Sequence, residues 1–191
     1  MNLIIMSKML KNILKTHQDV IRFIIGIIAC HLFWKLTISH NETNLTIYDI
    51  TWLGLDISVP FIAMTKHVAI VVHYVLSLFE QNVTLENTRI IFQNNQSMNI
   101  VWACSGIKQM FIFATIIIFS RGFWKHKFWF IPLGLLICHT YNIIRISFLG
   151  WIVEYHIAQF NFYHEYVTKY IFYGIIFLLW VWWNEYFNKQ K

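Results

Sequence analysis

The chain has 191 residues, of which 58% are hydrophobic, 18% aromatic and only 13% charged. A globular domain is usually about 45–50% apolar and about 25% charged, so this composition excludes a soluble fold. The net charge of +6 comes from basic residues at the ends of apolar runs, which argues against nucleic acid and for the lipid bilayer as a partner. We predict an all-α polytopic membrane protein with a single membrane-embedded domain, residues 1–191.

The first membrane span is predicted near the N-terminus, after a basic stretch. A spanning helix needs about 20 mostly apolar residues, and four segments meet this requirement: 20–38, 100–120, 128–153 and 166–183. By the positive-inside rule, the basic residues before and within the first span place the N-terminus in the cytoplasm: Lys8, Lys11, Lys15 and Arg22. Residues 27–30 resemble a lipoprotein cleavage site, but the apolar run continues past them, so we expect an uncleaved anchor rather than a processed signal.

The charges of the loops are consistent with this orientation. The loop 39–58 carries three acidic residues and no Lys or Arg, so we expect it outside. The loop 121–127 carries three basic residues and no acid, so we expect it inside. The loop 154–165 is then external, and the basic C-terminal tail returns to the cytoplasm.

The segment 59–80 is apolar, yet the loops on both of its sides must be external. A single crossing of the membrane would place these loops on opposite sides, so this segment cannot be a simple span. Its polar residues are spaced 7, 4 and 3 apart and fall on one helical face: Lys66, His73, Ser77 and Glu80. We predict a helix that lies at, or dips into, the outer interface, with Pro60 in its first turn. The alternative is a fifth span, with an external N-terminus or an internal 81–99 loop.

Residues 82–99 are rich in Asn and Thr and interrupt the helical pattern. Residues 88–92 and 98–102 have strand-like composition, and residues 94–97 offer a turn. We predict a short external β-hairpin here.

Cys104 differs from the other two cysteines, which lie inside apolar runs as small hydrophobic groups. It stands with Ser105 and Gly106 where the hairpin gives way to a helix. The positive end of a helix dipole would stabilise a thiolate, the nucleophilic form of cysteine. The alternative interpretation is a buried small residue at a tight turn.

His139, Asn142 and Arg145 are spaced three apart and share one face of the predicted 128–153 helix. Arg145 lies in an apolar run, and a guanidinium in hydrocarbon costs at least about 2.5–3.5 kcal/mol on insertion scales. Such a charge is typical of a functional site. The alternative is an arginine that snorkels to the outer headgroups.

The 154–165 loop supplies His156 and His164, and Glu165 follows the second of these at the start of the last span. Histidine carries protons near neutral pH, although a single loop histidine is usually only solvated. We choose His164 over His156 as the catalytic residue because it stands at the mouth of the final helix. His139 lies about 9 Å deeper than Arg145, which suits a supporting hydrogen bond.

Cys104, Arg145 and His164 can all meet at the outer surface, and together they can perform acyl transfer. The thiolate would attack a peptide carbonyl, Arg145 would stabilise the oxyanion, and His164 would pass a proton to the leaving amine. The chain has neither an H-E-x-x-H motif nor a paired-cysteine spacing, so we expect no metal, and we expect no cofactor.

Three stretches resemble the exosortase/archaeosortase group of prokaryotic membrane transpeptidases: residues 103–107, 142–146 and 164–165. They occur in that group's order, each beside an apolar helix, and the resemblance covers about 60–180, the catalytic core. It places the nucleophile on Cys104, the arginine on Arg145 and the histidine on His164, with Ser105, Gly106, Asn142, His139 and Glu165 in support. Many members have Arg where Lys108 stands.

The resemblance implies a cysteine protease or transpeptidase of the cytoplasmic membrane with an extracytoplasmic active site. Its partner would be a membrane-anchored protein whose C-terminal sorting signal combines a short motif, a transmembrane helix and a basic tail. A thioester would be the intermediate, and an amine or hydroxyl the acceptor. The alternatives are a small transporter or channel subunit, whose polar residues should lie near the bilayer midplane, and a non-enzymatic assembly factor.

Overall fold

The computed structural model describes residues 18–44, 47–79 and 82–187, and it shows an all-α polytopic membrane protein with two small sheets. Its main helices are α1 (Gln18–Thr37), α2 (Ser58–Ser77), α3 (Ile107–Phe119), α4 (Trp124–Tyr155) and α5 (Thr168–Tyr186). Among the described residues, four helical stretches are long and apolar enough to cross a membrane: α1, α2, α4 and Ile157–Tyr186, which contains α5. Helix α3 is shorter, with 13 residues.

Helices α1, α3 and α5 and the first half of α4 form a bundle with two distinct ends. We call one the Arg121 end, because α1 begins there, the α3–α4 turn lies there and α5 ends there. Trp183 Nε1 donates to the Arg121 carbonyl at 2.9 Å, and the Phe23 and Trp180 rings lie 4.5 Å apart. The opposite end, the Cys104 end, carries both sheets.

Helices α3 and α4 pack closely because Gly134 lacks a side chain. A Cβ at this position would lie 2.0 Å from Phe113 Cζ. Nearer the Arg121 end, the buried Lys127 donates from Nζ to the carbonyls of Ile118 at 2.7 Å and Ser120 at 2.6 Å. A cation at the C-terminus of α3 satisfies carbonyls that the helix leaves unpaired and complements its dipole.

A second hydrophobic core, separate from the core of the bundle, lies between α2 and the last part of α4. Buried residues of α2 at helical spacing pack against this part of α4: Val68, Ala69, Val72 and Leu76 against Ile146, Leu149 and Val153. A sheet of β4 (Thr84–Glu86), β5 (Arg89–Ile91) and β6 (Ser97–Asn99) covers them in antiparallel order. Gly150 lets Leu76, Phe92 and Met98 approach α4.

Both ends of α2 lie near the Cys104 end of the molecule. Near its start, the Phe61 ring packs 6.0 Å from both Trp34 and Trp102, and near its end Leu76 packs at Gly150. Helix α2 is long and apolar enough to be a span. The buried residues it packs against, however, do not lie at the Arg121 end. Pro60 lies in its first turn, as predicted.

The loop 39–58 differs from the prediction, because it forms a second sheet. Strands β1 (Ile38–Asn44), β2 (Ile47–Trp52) and β3 (Leu55–Asp56) pair antiparallel. Asp56 Oδ1 accepts hydrogen bonds from the Ser58 hydroxyl at 2.6 Å and from its backbone N–H at 2.8 Å, where α2 begins. These hydrogen bonds hold the pKa of Asp56 below its ordinary value.

Three further predictions need correction. The predicted span 100–120 is helical only from Ile107 to Phe119. The predicted hairpin has three strands, although the turn at 94–97 is present, with the Phe92 N–H donating to the Gln96 carbonyl at 2.9 Å. The predicted loop 154–165 is largely helical, because α4 continues to Tyr155 and one-turn helical segments then lead into α5. Lys8, Lys11, Lys15, Glu80 and the C-terminal tail lie outside the described residues.

Candidate active site

Cys104 ends a single 3-10 turn, Trp102–Cys104, that links β6 to α3. Its N–H donates to the Val101 carbonyl at 2.8 Å, and the Ser105 N–H donates to the Trp102 carbonyl at 3.1 Å. Both backbone donors nearest the sulfur are therefore already used. Ser105 is buried, and its hydroxyl accepts the Ile107 N–H at 3.4 Å just before α3.

Gly106 and Asn142 fix this turn against α4. Gly106 has a left-handed backbone with φ of 79°, and a Cβ there would lie 3.0 Å from the Asn142 side chain. The fully buried Asn142 donates from Nδ2 to the Cys104 carbonyl at 2.8 Å. A residue on α4 thus holds the backbone of Cys104 directly.

Arg145 lies one turn further along α4 and is held by α5. It is 8% exposed, and its Nε donates to the Thr168 hydroxyl at 3.1 Å. The Thr168 hydroxyl in turn lies 3.4 Å from the His164 carbonyl. Arg145 forms no other hydrogen bond among the described residues, and its positive charge acts on both Cys104 and His164.

His164 lies in a π-helical turn, Tyr163–Val167, directly before α5. Its Nδ1 is 3.1 Å from Glu165 Oε1, and its ring stacks on Phe160 with the centroids 5.4 Å apart. A carboxylate beside Nδ1 favours the tautomer with the proton on Nδ1, which leaves the lone pair on Nε2. His156, in contrast, is exposed and contacts the Trp151 ring.

His139 does not join this group through a hydrogen bond. Its Nε2 lies 3.3 Å from Nε2 of His67 on α2, and the two rings are nearly parallel. Its Nδ1 is buried and has no hydrogen-bond partner among the described residues. His139 therefore contacts α2, whereas the hydrogen bonds of Asn142 and Arg145 lead to the Cys104 turn and to α5.

The thiol of Cys104 does not have the environment that its sequence position suggests. Helix α3 begins at Ile107, three residues beyond Cys104, so its dipole does not end at the sulfur. Burial raises the pKa of the Cys104 thiol, while a backbone hydrogen bond with Val101 and the charge of Arg145 offset part of that rise. Burial therefore favours the neutral thiol of Cys104 over the thiolate.

This pKa shift predicts how the alkylation rate of Cys104 depends on pH. Alkylation follows the thiolate fraction, and a raised pKa moves that fraction to higher pH. The rate should therefore still be rising above about pH 8.5, where an ordinary cysteine is half ionised. The measurement is mass-spectrometric alkylation of purified Cys30→Ala/Cys138→Ala protein. A rate that levels off below pH 8 would instead show a preformed thiolate.

Gly106 provides a second prediction, because both its φ and its packing require glycine. Gly106→Ala should cost about 1–3 kcal/mol of backbone strain and displace Asn142, lowering both the melting temperature and the activity. Gly174→Ala is the matched control, since a Cβ there meets nothing within 4 Å. Equal effects of the two substitutions on thermal melting and activity would contradict this role.

Two contacts of the site were missed by the sequence analysis. Thr168 is buried and joins Arg145 to the His164 turn, and the Tyr141 hydroxyl donates to the Thr168 carbonyl at 3.1 Å. The spacing offered one signal, since Thr168 follows His164 by four residues and so shares its helical face. Nothing in the sequence indicated Tyr141.

One of three comparisons with known proteins gives a match. No match was found among the curated proteins or the solved structures. A family model described as transmembrane exosortase matches residues 49–181. The match includes α2, α3, α4 and all but the last five residues of α5. Because the match covers more than half of a chain with several apolar helices, this multi-pass membrane protein belongs to the transmembrane exosortase family.

Proposed function

We propose that the chain is a membrane cysteine transpeptidase in which Cys104 is the nucleophile, His164 the base and Arg145 the oxyanion donor. One observation carries this proposal. The buried Arg145 is anchored through Nε to Thr168, its remaining N–H groups have no hydrogen bond among the described residues, and its charge acts on both Cys104 and His164. A buried guanidinium with free donors suits a site where negative charge develops.

The first step transfers the thiol proton of Cys104 to Nε2 of His164 as the sulfur attacks a peptide carbonyl of the substrate. Glu165 would stabilise the imidazolium through its contact with Nδ1. The carbonyl oxygen becomes an oxyanion. Since the N–H groups of Cys104 and Ser105 are already bonded to carbonyls, Arg145 is the donor we assign to that oxyanion.

The second step breaks the peptide C–N bond. The leaving amine takes the proton from His164, and the acyl group stays on Cys104 as a thioester. An incoming amine, hydroxyl or water then gives its proton to His164 and attacks the thioester. The thiolate of Cys104 leaves and takes that proton back from His164. Asn142, Ser105 and Gly106 hold the Cys104 turn in place during these steps, and His139 supports α4 against α2.

The substrate class that fits is a membrane-anchored protein with a C-terminal sorting signal. We place the catalytic core at about 60–180 and the active site on the extracytoplasmic side of the cytoplasmic membrane. The charges of residues 121–127 at the Arg121 end support this side, because this segment holds Arg121, Lys125 and Lys127 and no acid.

The choice of histidine provides the experiment for this proposal. His164→Ala should stop processing of a sorting-signal substrate and prevent a hydroxylamine-sensitive adduct on Cys104, because no other base is assigned there. His156→Ala is the matched control and should retain processing, since that side chain is exposed and contacts Trp151. Both variants are compared in cells at equal protein level.

His139→Ala should slow processing or lower stability without abolishing the adduct, because its partner is His67. An active His164→Ala variant would contradict the assignment of the base. An inactive His156→Ala variant beside it would move that role to the other histidine.

A further inference from the structure

A surface groove of about 890 Å³ runs along α1, on the side that faces α3 and α5. Its wall is formed mainly by apolar side chains of these helices, and the ring of Trp52 from β2 lies at the Cys104 end. Gly26 and Ala29 of α1 leave room in its floor, since a Cβ on Gly26 would meet only Ile116, at 3.8 Å. The groove lies beside the bundle and contains none of the residues assigned to catalysis.

The length of the groove suits a lipid acyl chain. Asp19 and Phe33 both line it, and they are fourteen residues apart on one helix, or about 21 Å at 1.5 Å per residue. One leaflet of the hydrocarbon core is about 15 Å thick, half of the usual 30 Å. A chain that enters at the Arg121 end can therefore lie in the groove over its full depth.

The charges at the Arg121 end of the groove are mostly positive. Arg22 pairs with Asp19 at 3.5 Å, whereas the side chain of Arg121 forms no ion pair within the described residues. The Arg121 backbone is fixed, because its carbonyl accepts the Trp183 Nε1–H and a Cβ on Gly122 would lie 2.8 Å from the Trp183 ring. Two guanidinium groups and one carboxylate thus line this mouth.

These charges distinguish between two possible occupants. The transmembrane helix of a sorting signal ends in a basic tail, which Arg22 and Arg121 would repel. A phospholipid carries a phosphate at the same depth, and an arginine beside an anionic headgroup is favourable. We propose that this groove binds an anionic phospholipid, with one acyl chain along α1 and the headgroup phosphate at Arg121 and Arg22. The exclusion of a substrate helix rests on the proposed function, whereas the fit of the lipid rests on the lining of the groove.

The test uses native mass spectrometry of the purified full chain with added phosphatidylglycerol or phosphatidylcholine of equal chain length. The wild type should retain phosphatidylglycerol more strongly, and Arg121→Gln should lower that preference about fivefold. Lys125→Gln is the matched control, because it removes the same charge four residues further along, in the first turn of α4, and does not line the groove. It should leave the preference unchanged.

A second pair of variants tests the groove without a change of charge. Ala29→Phe fills the groove and should reduce retention of both lipids, whereas Ile28→Phe, which does not line it, should not. Equal effects of Arg121→Gln and Lys125→Gln would overturn the proposal. Displacement of phosphatidylglycerol by a basic-tailed transmembrane peptide would overturn it as well, and would assign the groove to the substrate. The Cys104→Ala variant should bind lipid normally, so this result and the catalytic result can be separated.

Discussion

Replacing Cys104 with alanine or with serine is expected to abolish processing, with a loss on the order of 10⁴-fold or more. Alanine removes the nucleophile. Serine keeps the size of the side chain, but a hydroxyl beside a single imidazole is a much weaker nucleophile than a thiol. The measurement is the ratio of processed to unprocessed substrate in cells that contain equal amounts of each variant.

The other two cysteines provide matched controls for this prediction. Cys30 and Cys138 are both buried in the bundle core, so Cys30→Ala and Cys138→Ala remove the same thiol from sites without Arg145 or His164 nearby. They should lower the melting temperature slightly and leave processing intact. Normal processing by Cys104→Ser, with the protein inserted in the membrane, would refute a thioester mechanism.

Arg145→Lys is expected to lower activity by about 10²–10³-fold, the usual loss when one oxyanion donor is removed. The guanidinium of Arg145 bonds Thr168 through Nε and keeps its other N–H groups free for the substrate. The single ammonium nitrogen of a lysine cannot occupy both positions. An arginine that only snorkels to headgroups would tolerate lysine. The rate of substrate processing therefore distinguishes the two interpretations left open by the sequence.

Two further variants show whether the loss is specific to this site. Arg89→Lys makes the same chemical change at an exposed arginine that bonds Ser97, and it should be silent. Thr168→Val keeps the shape of the anchor but removes its hydroxyl, so activity should fall by about tenfold while the charge of Arg145 remains. Full activity of Arg145→Lys would assign that residue to structure alone.

The bundle helices were largely predictable, and the reason is physical. A run such as 128–153 has too few charges for water and too many backbone polar groups for lipid unless it is helical. The start of α3 was not predictable, because it depends on the left-handed Gly106 and on Asn142, which lies 36 residues further along the chain. The sheet in 38–56 was missed because a charge-based assignment of loops contains no information on strand pairing.

The place of α2 shows a different limit of sequence analysis. Its twenty residues satisfy the length and hydropathy of a span, so composition alone does not separate a crossing helix from one that packs on α4. Parity of the flanking loop charges predicted a helix that lies at, or dips into, the outer interface. The candidate site was inferred from residue types and their order, whereas Thr168 and the His67–His139 contact depend on packing between helices.

The length of α4 has a consequence for how a substrate would be selected. Lys127 and Arg145 are eighteen residues apart on this helix, or about 27 Å, close to the thickness of the hydrocarbon core. If Lys127 marks one surface of the bilayer, Arg145 stands at the other. Under the proposed function, the position of Arg145 would then set the height above the membrane at which the substrate is cleaved. Each residue inserted between the scissile bond and the substrate's membrane helix moves that bond by about 3.3 Å, so three insertions carry it beyond the reach of a fixed guanidinium.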